Sequence, residues 1–172
     1  MTPVFQQVVD KGTGDCLRAC VCSLLDKTPE DIPNFFDYNE ETGSSDFWMN
    51  YEHCLHKFGY EQVTVLYNPK LVYLDNPTEY CREKCRQVSS LLLPVLHNYE
   101  GVDNYYIGIV HSPAYTNNGE PPHAHTHAVI VNDCYSIVHD PNPNNSDVIM
   151  YPYAELIGYN GIRNIYVIQK IQ

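Results

Sequence analysis

Positive charge is scarce in this chain. Only 10 of its 172 residues are Lys or Arg, against 21 Asp or Glu, which gives a net charge of −11 with histidine neutral. A protein that binds a phosphate backbone needs a basic patch, so we expect no nucleic-acid partner. Charged residues make up 18% of the chain and apolar residues 44%, a balance that excludes a disordered acidic tail and a coiled coil.

Long apolar runs are also missing, the longest being Val88–Leu96 and Tyr105–Val110. Both are well short of the roughly 20 residues that cross a bilayer, and the first residues lack the basic flank and apolar stretch of a secretory signal. The seven cysteines form no C-x-x-C pair, which argues against a disulfide framework or a zinc ribbon. These absences predict a reduced, soluble, cytoplasmic protein without a membrane partner.

Helix patterns occupy the first half of the chain. Apolar residues recur at helical spacing over Asp15–Leu25, and Ser45 is positioned to cap a second helix that ends at Gly59. The Glu61–Tyr67 segment alternates as a strand, and Thr78–Ser90 is a further helix candidate. We expect the second helix to pack in the core through its apolar stripe, which consists of Phe47, Trp48, Tyr51, Leu55 and Phe58.

Strand patterns dominate the second half. Clusters of Gly, Pro and Asn separate five short segments rich in Val, Ile and Tyr: Leu91–Leu96, Tyr105–His111, His125–Val131, Tyr135–His139 and Ile162–Ile168. Asn132–Asp133 predicts a hairpin turn. Helices followed by strands predict a single α+β domain over residues 1–172, with the N-terminal helices packed on a C-terminal antiparallel sheet.

Cys16 lies at the predicted start of the first helix, directly behind a glycine-containing turn. Free N–H groups and the positive end of the helix dipole favour a thiolate there, and the thiolate is the nucleophilic form of cysteine. The alternative is a small buried hydrophobe, which is the role we expect for Cys20, Cys22, Cys54 and Cys134.

His127 and Asp140 form a second candidate pair, 13 residues apart. If His127 begins one strand and Asp140 ends its hairpin partner, the two side chains meet at one end of the sheet. There a carboxylate would hold one imidazole nitrogen and leave the other to face a thiol. The alternatives are a strand histidine with a hydroxyl partner and a turn aspartate before Pro141.

A run of histidines offers a third candidate site. In an extended strand His123, His125 and His127 share one face, which is a start for a metal site, with His111, His139 and Asp140 available as further ligands. The spacing matches no zinc motif with a stated mechanism. We therefore favour a histidine-rich rim and expect no metal and no cofactor, with a metalloenzyme as the alternative.

In combination these motifs resemble papain-like cysteine peptidases, specifically their bacteriocin-leader-peptidase-like branch. The residues that carry the resemblance stand in the family's order: Gln6 or Gln7, Gly14-Asp15-Cys16-Leu17-Arg18-Ala19-Cys20, His127-Ala128-Val129-Ile130-Val131 and Val138-His139-Asp140-Pro141. The segment Leu25–Pro33 is similar to small phage-type proteins of the same fold. Each motif is weakly specific, but the ordered set covers most of the chain.

The resemblance implies a Cys16–His127–Asp140 triad, with Gln6 or Gln7 and the backbone N–H of Cys16 stabilising an oxyanion. It implies peptide or isopeptide hydrolysis through a thioester, with a peptide or protein as substrate. Amide hydrolases and transglutaminase-like acyltransferases use the same triad, and the fold does not choose among them. A binding module that keeps this fold without turnover is an alternative from a different class.

Two features depart from the family pattern. Gln6 and Gln7 lie ten and nine residues before Cys16, farther than in the family, and Leu17 stands where a glycine or an aromatic residue is common. Two glycines in the intervening segment offer a means of looping out the extra residues. The acidic composition favours a cationic substrate or a partner with a basic patch.

Overall fold

The computed structural model describes residues 1–9, 13–67, 99, 101–111, 126–132, 136–143, 151–152 and 162–172. Within these residues it has two α-helices, a short 3-10 helix (Val102–Asn104) and six strands. The α-helices are α1 (Cys16–Leu24) and α2 (Phe47–Lys57). The strands are β1 (Tyr60–Tyr67), β2 (Tyr105–His111), β3 (Thr126–Asn132), β4 (Ser136–His139), β5 (Tyr151–Pro152) and β6 (Ile162–Lys170). The α+β class expected from the sequence is confirmed. The predictions for Thr78–Ser90 and Leu91–Leu96 lie outside the described residues.

The strands form one antiparallel sheet in the order β1-β6-β2-β3-β4-β5. β1 comes from the helical half of the chain but pairs with β6, so the sheet is not confined to the second half. β6 lies between β1 and β2 and thereby joins the two halves of the sequence. Among the described residues, no helix combines the length and the apolar character that crossing a membrane requires.

Helix α1 packs on the sheet against β3. Its apolar residues recur at helical spacing, and Leu17, Val21 and Leu24 are buried in the same core cluster as Ala128 and Ile130 of β3. Burying these aliphatic side chains contributes about 1.5–3 kcal/mol each. This packing holds the first residue of α1 beside the first residues of β3.

Helix α2 begins one residue later than the sequence suggested. Asp46, and not Ser45, is the N-cap, because its Oδ1 accepts the backbone N–H of Met49 at 2.8 Å. The helix ends as expected before Gly59, whose φ of 80° is the left-handed conformation that favours glycine. Of the predicted apolar stripe, Tyr51 is buried, whereas Trp48 remains 49% exposed and is not a core residue.

Strand β3 is buried along most of its length. Residues 127–131 are all buried, in agreement with a position between β2 and β4 inside the sheet. The pairing of β3 with β4 has an irregularity between Ile130 and Val131, where the register shifts. The strand therefore carries His127 into a closed environment at its N-terminal end, close to the residue that follows β4.

Candidate functional site

Cys16 is the first residue of α1, as the sequence predicted. Its Sγ accepts the backbone N–H of Ala128 in β3 at 3.4 Å, although the two residues are 112 positions apart. N–H groups in the first turn of a helix have no partner within the helix. Two backbone N–H groups, those of Ala128 and Leu17, therefore act on the sulfur.

His127 and Asp140 are hydrogen-bonded to each other. Nε2 of His127 lies 2.7 Å from Oδ1 of Asp140, and both side chains are almost completely buried. Oδ1 of Asp140 also accepts the backbone N–H of Asn142 at 2.9 Å. The predicted meeting of this pair at one end of the sheet is confirmed, and the Asn142 N–H helps to fix the carboxylate.

The side chain of His127 also acts on the Cys16 sulfur, since its hydrogen bond and its charge lower the pKa of the thiol. Because Nε2 is bound to Asp140, Nδ1 is the ring nitrogen that this arrangement leaves for the sulfur. Cys16, His127 and Asp140 thus form a continuous row of hydrogen-bonded side chains. They come from the start of α1, the start of β3 and the end of β4.

The interactions within this row shift the pKa values of Cys16 and His127 in opposite directions. Burial alone would raise the pKa of the Cys16 thiol, but the hydrogen bond and charge of His127 and the N–H groups of Ala128 and Leu17 outweigh it, so the pKa is lowered. Burial alone would lower the pKa of His127, but its bonds to Asp140 and Cys16 raise it to about 9. Both shifts favour a thiolate paired with an imidazolium.

The other cysteines with described positions have raised pKa values, in contrast to Cys16. Burial raises the pKa of Cys20 well above the usual thiol value, that of Cys22 to about 12 and that of Cys54 to about 11. All three are buried free thiols, which confirms the sequence-based interpretation of them as small hydrophobes. Cys134 lies outside the described residues. Cys16 is therefore distinguished from its neighbours by its environment.

The two candidate glutamines occupy different environments. Gln6 is only 6% exposed, and its backbone N–H donates to the carbonyl of Pro141 at 2.9 Å, directly after Asp140. Gln7 is exposed, and its Oε1 accepts from Arg18 at 3.3 Å. The structure brings Gln6 next to the Asp140 loop and places the side chain of Gln7 at the surface.

Residues 4–8, here called the N-terminal segment, lie between α1 and the end of β4. The N–H of Val4 donates to Oγ of Ser23 in α1 at 2.8 Å, and its carbonyl accepts from Nε2 of His139 at 2.8 Å. Sequence reasoning gave Ser23 and His139 no such role. Ser23 lies in the last turn of α1, and the bond from His139 crosses 135 positions, so neither contact leaves a local sequence pattern.

The predicted histidine run is only partly described. His123 and His125 lie outside the described residues, and His127 is bonded to Asp140 and Cys16. Within the described ranges, no three His, Cys, Asp or Glu side chains are grouped as a metal ion would require. The metal hypothesis for the run stays a prediction.

Comparison with protein-family models, with curated proteins and with solved structures finds no match to this chain.

Proposed function

We propose that this protein is a cysteine-dependent hydrolase with a papain-like arrangement, acting on peptide or isopeptide bonds through a Cys16–His127–Asp140 triad. The observation that carries the proposal is the hydrogen-bonded row of these three side chains, in which the pKa of the cysteine is lowered and that of the histidine is raised. A buried structural cysteine would have a raised pKa, as Cys22 and Cys54 do.

The first chemical step is acylation of Cys16. The thiolate attacks the carbonyl carbon of the scissile amide, a C–S bond forms, and the carbonyl electron pair moves to the oxygen. The C–N bond then breaks, and the leaving nitrogen takes the proton from Nδ1 of His127. The products of this step are a thioester on Cys16, a free amine and a neutral imidazole.

The second step returns the enzyme to its starting state. Nδ1 of His127 takes a proton from a water molecule, whose oxygen attacks the thioester carbonyl. The C–S bond breaks, so that a carboxylic acid leaves and the thiolate–imidazolium pair is restored. Asp140 keeps Nε2 occupied throughout and so fixes the ring with Nδ1 towards the sulfur.

The negative charge that develops on the carbonyl oxygen of the substrate during this attack has to be stabilised by hydrogen-bond donors. The N–H of Cys16 belongs to the first turn of α1 and has no intrahelical partner. Gln6 supplies the second donor, because it is the buried glutamine and its backbone is bonded to the residue after Asp140. Loss of one such donor costs about 3–4 kcal/mol of transition-state stabilisation in comparable sites.

The class of substrate follows from charge. With a net charge of −11, the protein attracts cationic segments and repels acidic ones. We therefore propose a peptide or protein substrate with a basic region near the bond that is cut, and a cytoplasmic site of action. Transfer of the acyl group to an amine instead of water would use the same first step.

The test combines peptide cleavage with a matched pair of variants. A proteome-derived peptide library is incubated with the wild type, with Cys16→Ala and with Cys54→Ala, and new termini are identified by mass spectrometry. Cys54 is a buried thiol of α2 outside the triad, so Cys54→Ala controls for the loss of a cysteine. We expect cleavage by the wild type and Cys54→Ala, and none by Cys16→Ala.

Each outcome has a defined meaning. Cleavage that persists in Cys16→Ala would overturn the triad as the source of activity. An amine adduct in place of free carboxyl ends would retain the triad and change the acceptor from water to amine. Absence of any product, together with a Cys16 that alkylates no faster than Cys54, would overturn the enzyme and favour a binding module of the same fold.

A further inference from the structure

Asp15 immediately precedes the proposed nucleophile, but it does not cap its own helix. Asp15 is the N-cap residue of α1, yet its side chain makes no capping hydrogen bond. Instead, Oδ1 accepts the backbone N–H of Val8 at 2.9 Å and Oδ2 accepts that of Gln7 at 3.3 Å. A buried carboxylate at the start of α1 thus binds the N-terminal segment.

A third hydrogen bond joins Asp15 to Val8 and closes a loop of the chain between these two residues. The backbone N–H of Asp15 donates to the carbonyl of Val8 at 3.2 Å. Both backbone groups of Val8 are therefore bonded to Asp15: its N–H to the carboxylate and its C=O to the backbone N–H. This closure explains how a glutamine ten residues before Cys16 returns to the start of α1.

The same carbonyl orients the side chain of Gln6. Nε2 of Gln6 donates to the carbonyl oxygen of Val8 at 3.1 Å. Since a carbonyl only accepts hydrogen bonds, the end of the amide that faces Val8 is the nitrogen. Asp15 holds Val8 in place, and Val8 in turn fixes the orientation of the Gln6 amide.

The Gln6 amide is buried with hydrogen-bonding capacity left over. Its nitrogen carries two N–H groups, of which Val8 takes one. Its Oε1 is buried without a partner among the described residues. Buried polar groups are normally paired, so an amide held in this way, beside the Asp140 loop, is suited to bind a polar group of a ligand.

We propose that Asp15 is a positioning residue, which orients the Gln6 amide through Val8 so that Gln6 donates to the oxyanion formed at Cys16. This inference rests on the proposed function, because the oxyanion arises only if Cys16 attacks a carbonyl. Arg18 completes the arrangement, since its Nη1 lies 3.3 Å from Oδ2 of Asp15 and balances that buried charge. Asp15 touches no reacting atom and acts only through Gln6.

Two reagents separate positioning from general damage. Iodoacetamide alkylates Cys16 by displacement at a saturated carbon, with iodide leaving, and forms no oxyanion. p-Nitrophenyl acetate acetylates Cys16 through a tetrahedral oxyanion: a C–S bond forms, the ester C–O bond breaks, and p-nitrophenolate leaves. Both rates are measured as functions of pH on the wild type, Gln6→Ala, Asp15→Asn and the double variant, and their plateau values are compared.

We expect the two reactions to respond differently. Gln6→Ala should slow acetylation on the order of 100-fold, and Asp15→Asn by at least about 10-fold. The plateau rate of alkylation should stay within about 2-fold of wild type in both, because the thiolate is retained. The double variant should be no slower than Gln6→Ala alone, since a residue that acts through Gln6 has no effect once Gln6 is gone.

Controls make failure of the inference distinguishable from failure of the proposed function. Asp46→Asn makes the equivalent substitution at the N-cap of α2, and it should change neither the acetylation rate nor the alkylation rate. Equal slowing of both reactions in Asp15→Asn, or additive effects in the double variant, would overturn the positioning role and leave the triad standing. If Asp15→Asn does not fold, Asp15→Ser decides by the same two rates. A wild-type Cys16 inert to both reagents would overturn the proposed function and this inference together.

Discussion

Nε2 of His127 lies 2.7 Å from Oδ1 of Asp140, although 13 residues separate the two along the chain. The hydrogen bond is possible because His127 is the second residue of β3 and Asp140 directly follows the last residue of β4, its antiparallel neighbour. It leaves Nδ1 as the ring nitrogen available to the sulfur of Cys16. In the proposed mechanism, this contact therefore determines which nitrogen of the imidazole exchanges a proton with Cys16.

Selective alkylation of Cys16 is the first expected outcome. At pH 7 the thiol of Cys16, whose pKa is lowered, should be modified by iodoacetamide at least about 100-fold faster than Cys22 or Cys54. Mass spectrometry of peptides after timed labelling measures each rate. His127→Ala should slow Cys16 alone, and equal rates at all three thiols would contradict an ion-paired cysteine.

The pH dependence should differ between two reactions of the same cysteine. Thiolate forms as the pH rises through the lowered pKa of Cys16, and imidazolium is lost as the pH rises through about 9, the pKa of His127. Cleavage of an amide needs both species, so its rate should rise and then fall above about 9. Alkylation needs only the thiolate and should not fall there. Parallel profiles for the two reactions would rule out His127 as the acid.

Much of the fold was predictable because it depends on local patterns. Apolar spacing predicts α1 to within a residue at each end, and alternation predicts β1. Richness in Val, Ile and Tyr between turn residues predicts β2 and β3. The sequence predicts Ser45 as the cap of α2, but Asp46 is an equally good capping residue, and only the contact with Met49 shows which of them caps the helix. Trp48 fits the apolar stripe by spacing but lies at its solvent edge.

The candidate site was predictable only in part. Its three members stand at or beside element ends that a sequence identifies: Cys16 is the first residue of α1, His127 is the second residue of β3 and Asp140 directly follows β4. The choice of Gln6 over Gln7 depends on a bond to Pro141, more than 130 residues away. Such a contact is set by tertiary packing and not by local propensity, so no sequence pattern signals it.

Asp140→Asn should separate the two contributions of the Asp140 carboxylate, which are an oxygen that orients the His127 ring and a negative charge that raises the pKa of His127. The amide keeps an oxygen near His127 but removes the charge that raises the pKa of the histidine, so burial then lowers this pKa from about 9. Amide cleavage should slow on the order of 10²–10⁴-fold, and its high-pH limb should move to lower pH. The exposed Asp31 provides the matched control, because Asp31→Asn leaves the triad untouched. An unchanged profile in Asp140→Asn would remove Asp140 from the triad.

Arg18 is expected to be important for stability as well as for the site. Its side chain is 12% exposed and pairs with Asp15, which is 2% exposed, and its Nε donates to the carbonyl of Ile32 at 2.8 Å. Arg18→Ala would leave the buried carboxylate of Asp15 without its cationic partner, so we expect the free energy of unfolding to fall by about 3 kcal/mol. Urea unfolding followed by circular dichroism measures the loss.

The surface pair of Lys57 and Glu41 provides the comparison for Arg18. Their N···O distance of 2.9 Å is shorter than that between Arg18 and Asp15, but both side chains are more than half exposed. Solvent screens an exposed pair, so Lys57→Ala should leave the urea midpoint unchanged within error. If the two variants lost the same stability, burial would not be what makes the Arg18–Asp15 pair important.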